Sequence, residues 1–70
     1  MALNYYYNYA EIDPTTGMCI GVHSCTSPAD NPNLIAIPEY DEELGLKYYY
    51  DGKWYYDAAH QNEYIPIWEQ

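Results

Sequence analysis

The segment Tyr48-Tyr49-Tyr50-Asp51-Gly52-Lys53-Trp54-Tyr55-Tyr56 leaves its backbone little choice. Asp-Gly between two aromatic runs is the strongest short-range signal for a two-residue hairpin, because both turn positions take positive φ and few residues do so cheaply. A two-residue turn also fixes register. Tyr50 is expected opposite Lys53, Tyr49 opposite Trp54, Tyr48 opposite Tyr55 and Lys47 opposite Tyr56. One face then stacks Tyr49 and Trp54 beside Lys47 and Tyr56, and each lysine lies next to a ring.

The rest of the chain reads the same way: tyrosine, isoleucine and valine fall in short blocks bounded by Pro, Gly, Asp and Asn, with no helical period. A first strand is expected over Asn4 to Ile12, with Tyr5, Tyr7 and Tyr9 on one side and Tyr6, Ala10 and Ile12 on the other. Asp13-Pro14-Thr15-Thr16-Gly17 supplies a hairpin connection to a second strand, Met18 to Cys25, whose inward row is expected to be Met18, Ile20 and Val22. Thr26 to Asn33 reads as an exposed loop. Leu34 to Pro38 reads as a short strand at a sheet edge, since its proline cannot donate to a ladder. Asp41-Glu42-Glu43-Leu44 before Gly45 suits a single helical turn capped by the glycine. The tail is expected to return as an edge strand anchored by Trp68. The fold class is mostly β: one small domain over residues 1–70, a twisted antiparallel sheet or partly closed barrel of four to six strands.

Charge decides which partners such a fold tolerates. Eleven carboxylates face two lysines, a formal net charge of −9 on 70 residues, and tyrosine is the commonest side chain at 11 copies. That potential repels phosphate backbones and anionic membranes and attracts basic proteins, so direct nucleic-acid and membrane binding are not expected. A chain this short buries only about 60% of its unfolded surface, so the core is expected to be thin. Cys19 and Cys25 do not relieve this. Along one strand they stand about 20 Å apart, whereas a disulfide needs Cα atoms within about 7 Å, and two free thiols in a reducing compartment follow. The N-terminus has neither the basic nor the apolar segment of a signal peptide, and no apolar run is long enough to span a membrane.

No catalytic, metal or cofactor site is expected. Cys19, His23 and Cys25 with His60 could be drawn as a zinc set, but their spacing along a strand is unlike the paired ligands of structural zinc sites, and ordinary thiols and a surface imidazole account for them. Nothing activates either cysteine as a nucleophile. The carboxylates of Glu39 to Glu43 lack the alternation and central glycine of a calcium loop, and a small sheet offers no cleft for acid and base work. What they offer is a surface. Extended, that segment places about one charge per 4 Å, close to the roughly 3.4 Å of a single DNA strand, and neighbouring rings imitate base faces. The bland account, in which acids only keep a tyrosine-rich sheet soluble and blunt its edges, explains the same residues.

Asp13-Pro14-Thr15-Thr16-Gly17, Cys19-Ile20-Gly21-Val22, Tyr40-Asp41, Gly45-Leu46-Lys47-Tyr48-Tyr49 and Asp51-Gly52-Lys53-Trp54-Tyr55-Tyr56-Asp57-Ala58-Ala59 together resemble small proteins encoded among late and tail genes of tailed bacteriophages. The resemblance covers about residues 5 to 59 and consists of turns and aromatics, without a catalytic motif. It implies a phage origin, a short β fold, and either inhibition of a host defence enzyme or an accessory role in the tail. With the acidic excess, the expectation is a monomeric or homodimeric, non-enzymatic inhibitor in the host cytoplasm. Its partner is a basic, nucleic-acid-binding host protein, met through Glu39, Asp41, Glu42, Glu43, Asp51 and Asp57 with Tyr48, Tyr50 and Tyr55. The alternatives are a virion component docking through its tyrosine faces and, third, a sugar-binding module.

Overall fold

In the computed structural model, which describes residues 7–70, the expected hairpins organise the chain. Six strands form: β1 Tyr7–Ile12, β2 Cys19–Cys25, β3 Leu34–Ile37, β4 Tyr48–Tyr50, β5 Lys53–Tyr55 and β6 Glu63–Tyr64. They make two three-stranded antiparallel sheets, ordered β2-β1-β3 and β4-β5-β6, with no closed barrel among the described residues. Asn4, Tyr5 and Tyr6, the start of the expected first strand, lie outside the described residues.

Each hairpin turn does what its residues demand. Asp51 and Gly52 both take positive φ, 51° and 80°, and the register is the expected one, Tyr50 to Lys53, Tyr49 to Trp54 and Tyr48 to Tyr55. In the β1–β2 turn the Asp13 carboxylate accepts from Thr15 N at 2.8 Å, while Gly17, at φ 80°, donates its N–H to Asp13 O at 2.7 Å. Gly17 also ties the sheets together, since its carbonyl accepts from Tyr49 N at 2.9 Å. Beside it Cys19 N donates to Lys47 O at 2.7 Å and Leu46 N to Cys19 O at 2.8 Å, and Met18 bridges Tyr48.

The expected inward row of β2 is corrected. Register passes from Glu11–Gly21 to Ile12–Cys19, leaving Ile20 unmatched in a β-bulge. The extra residue flips the side-chain alternation. Cys19 is therefore fully buried and Ile20 is 53% exposed, while Val22, beyond the bulge, still packs on the core. That core joins both sheets through Ala10, Ile12, Cys19, Ile37, Leu44, Trp54 and Tyr64. Extents of 44 × 27 × 16 Å make it thin, and Leu44 and Cys19 are the largest fully buried side chains. On the other face of β1, buried Tyr9 accepts from Ala29 N through its hydroxyl at 2.9 Å, which pins the exposed 26–33 loop to the sheet.

One expectation holds and another changes. A 3-10 turn forms over Glu42–Leu44 with Gly45 as its C-cap, its N–H donating to Glu42 O at 3.2 Å; its φ is −53°, and the left-handed position falls on exposed Leu46, φ 70°. The tail pairs with β5 only over Glu63–Tyr64, then buries Pro66 and closes in a 3-10 turn over Ile67–Glu69. Its anchor is Tyr64, 7% exposed, with Trp68 half-buried against the core. No helix among the described residues is long and apolar enough to cross a membrane.

Candidate functional site: an acidic segment held by a buried aspartate

The acidic segment is the densest charged feature, and its four carboxylates differ in kind. Glu39, Glu42 and Glu43 are exposed, whereas Asp41 is only 3% exposed. A buried carboxylate survives by accepting hydrogen bonds, and Asp41 has them. Its Oδ1 accepts from Glu43 N at 3.0 Å, capping the 3-10 turn, and its Oδ2 accepts from Tyr64 Oη at 2.7 Å and Ile67 N at 3.1 Å. Burial, then the bond to Asp41, pushes the Tyr64 hydroxyl well above the usual tyrosine range. Asp41 is thus a rivet between the acidic turn and the C-terminal turn, and the expectation that it faces a partner is corrected.

The segment is also shorter than an extended ladder of charges. A 3-10 turn rises only about 2 Å per residue, so Glu42 and Glu43 crowd together. The remaining expected residues lie elsewhere. Strand alternation puts Lys47, Tyr49, Trp54, Tyr56 and Tyr64 on one face of the second sheet and Tyr48, Tyr50 and Tyr55 on the opposite face. Because the acidic turn is bolted to Tyr64, it is not flanked by Tyr48, Tyr50 and Tyr55. Tyr50 and Tyr55 instead meet His60, which stacks on Tyr50 at 4.3 Å and 8° and tilts against Tyr55 at 5.1 Å. Asp51 is exposed at the tip of the β4–β5 turn. Asp57 shapes its own loop, accepting from Asn62 N at 2.9 Å and Gln61 N at 3.1 Å, and these amides hold its carboxyl below the usual range.

The rings that do border the acids are Tyr40, 47% exposed within the segment, and Tyr56, 59% exposed. Lys47 links Tyr56 to the turn: its Nζ donates to Glu43 O at 2.8 Å and lies 5.0 Å from the Tyr56 centroid. Tyr40 was legible as a neighbour in sequence. Tyr56 was legible only as the partner of Lys47 across the hairpin.

The residues once drawn as a zinc set do not converge. Cys19 and Cys25 are free thiols at opposite ends of β2, His23 pairs with Glu11 at 2.8 Å, and His60 lies in the β5–β6 connection, stacked on Tyr50 of the other sheet. Burial raises the Cys19 thiol out of the reactive range, and its Sγ donates to Gly21 O at 3.3 Å. A hollow of about 240 Å³ between β1 and β3 is lined by Tyr7, Asn8, Tyr9, Ala36, Ile37 and Pro38, without a carboxylate, imidazole or thiol. Comparison with protein-family models, with curated proteins and with solved structures found no match to this chain.

Proposed function

We propose that the protein is a non-enzymatic binding module that seats Glu39, Glu42 and Glu43, with Tyr40 and Tyr56 beside them, in the basic nucleic-acid-binding groove of a host protein and so blocks its substrate. The observation that carries this reading is the riveting of an exposed acidic turn by Asp41 to Tyr64 and Ile67. A loop that only kept the chain soluble needs no fixed backbone. Charges meant for a complementary surface gain from one, because ordering them before contact removes part of the entropic cost of binding.

The test is capture from a bacterial lysate at low and high salt, with the retained protein identified and then challenged with a short DNA duplex. Binding should weaken steeply with salt and yield to the duplex. Glu42→Lys with Glu43→Lys should abolish it, and unchanged capture after that reversal would eliminate the acidic turn as the contact.

A second reading is favoured by the opposite face, where Tyr50 is 56% exposed and Tyr48 and Tyr55 lie beside it. Such a face suits docking into a virion, and a salt-insensitive oligomer, or the protein recovered in purified particles, would select it over inhibition.

A further inference from the structure

Lys47 is one of two lysines among eleven carboxylates, yet it makes no ion pair with any of them among the described residues. Its ammonium sits instead between two rings, 5.0 Å from the centroids of both Tyr56 and Tyr64. Those rings stand 5.5 Å apart at 87°, so they form two walls of a corner, and the Glu43 carbonyl, 2.8 Å from Nζ, supplies an acceptor. This is the geometry by which proteins recognise ammonium groups: ring faces offer negative quadrupoles and a carbonyl takes one N–H. One wall is fixed, since Tyr64 is 7% exposed and its hydroxyl is bound by Asp41. The other, Tyr56, opens to solvent at 59% exposure.

We propose that Tyr56, Tyr64 and the Glu43 carbonyl form a seat for an alkylammonium group, closed in the free protein by the chain's own Lys47 and taken over by a lysine side chain of a basic partner. The exchange swaps one ammonium for another, so the contacts in the seat are restored. Lys47 then regains the hydration and rotamer freedom that the seat denies it. The net charge of −9 draws the incoming cation to the open side. The seat depends on two rings and a backbone carbonyl, not on the carboxylates of Glu42 and Glu43. Its test involves no protein partner, so its failure leaves the reading of the acidic turn standing.

The experiment is titration of the Lys47→Ala protein with n-propylammonium, which supplies the atoms the truncation removes, read by NMR shifts of the Tyr56 and Tyr64 rings. Saturable binding is expected, roughly tenfold weaker for wild type, in which Lys47 competes, and for n-propanol, which lacks the charge. Adding Tyr56→Ala should abolish it. Equal shifts in wild type and Lys47→Ala, or none in the folded variant, would overturn the proposal. Should Lys47→Ala fail to fold, the wild-type protein decides: ring currents should shift the ε-methylene protons of Lys47 upfield of those of Lys53, and coincident resonances would refute the seat.

Discussion

Asp41 carries more of this structure than its place in an acidic run suggests. Four carboxylates in sequence read as a solvated face, and three of them are one. The fourth is buried because a tyrosine hydroxyl 23 residues away and an amide 26 residues away converge on it, and nothing local to Glu39–Glu43 encodes either. Hydrogen bonds to a charged group contribute about 1.5–3 kcal/mol, so Asp41→Ala, which leaves the Tyr64 hydroxyl and Ile67 amide without their acceptor, should destabilise by about 3 kcal/mol in chemical denaturation. Tyr64→Phe keeps the buried ring and loses one donor, for about 2 kcal/mol. The pair also sets an alkaline limit. The folded state holds the Tyr64 proton above the ordinary tyrosine value of about 10. Its contribution is therefore complete below about pH 10 and declines as pH rises further, because the unfolded chain releases that proton first. Wild type should lose stability above pH 10 more steeply than Tyr64→Phe, and parallel pH profiles would show that the hydroxyl bond contributes nothing.

At the scale of elements, the turns are where sequence and structure agree, because a positive φ is a demand that few residues meet. Gly52, φ 80°, has open space where a side chain would stand, so Gly52→Ala tests the backbone alone and should cost about 1 kcal/mol. Gly17 shares the φ, and an added Cβ would lie 3.4 Å from Tyr49 O, at the joint between the sheets. That is an ordinary contact distance, so Gly17→Ala should cost about 1 kcal/mol as well, and thermal melts showing a much larger loss would mean that the joint has no room for a side chain. The same logic explains what was illegible. The Asp51-Gly52 hairpin, the β1–β2 turn and the edge strand before Pro38 follow from local chemistry. The bulge at Ile20 does not: it depends on how β2 meets both β1 and the Lys47 end of the second sheet, and one extra residue there exchanged Cys19 for Ile20 in the core. Which rings border the acidic turn was illegible for a similar reason. Hairpin register was read correctly, but which face meets the acidic turn depended on Tyr64, contributed by a strand of only two residues.

At the scale of the whole molecule, a thin core must hold together a strongly self-repelling chain. Apart from Asp41, with its hydrogen bonds, and Asp13 and Asp57, which accept from backbone amides, the carboxylates have little to offset them; the contact of His23 with Glu11 at 2.8 Å is exposed and worth at most about 1 kcal/mol. Repulsion among Glu39, Glu42 and Glu43 is greatest at low ionic strength, where the Debye length is about 30 Å at 0.01 M, and is cut back when that length falls to about 8 Å at 0.15 M. Screening the repulsion helps the compact state more than screening a single surface pair harms it. Added sodium chloride over that range should therefore raise the melting temperature, by about 4–8 °C for each kcal/mol of repulsion removed in a domain of this size. The Glu42→Lys, Glu43→Lys protein, with less charge to screen in the turn, should respond less. A melting temperature that falls with salt would mean that attractive pairs outweigh repulsion, and the acidic turn would then be a stabilising element of the fold, not a surface kept at an energetic cost for a basic partner.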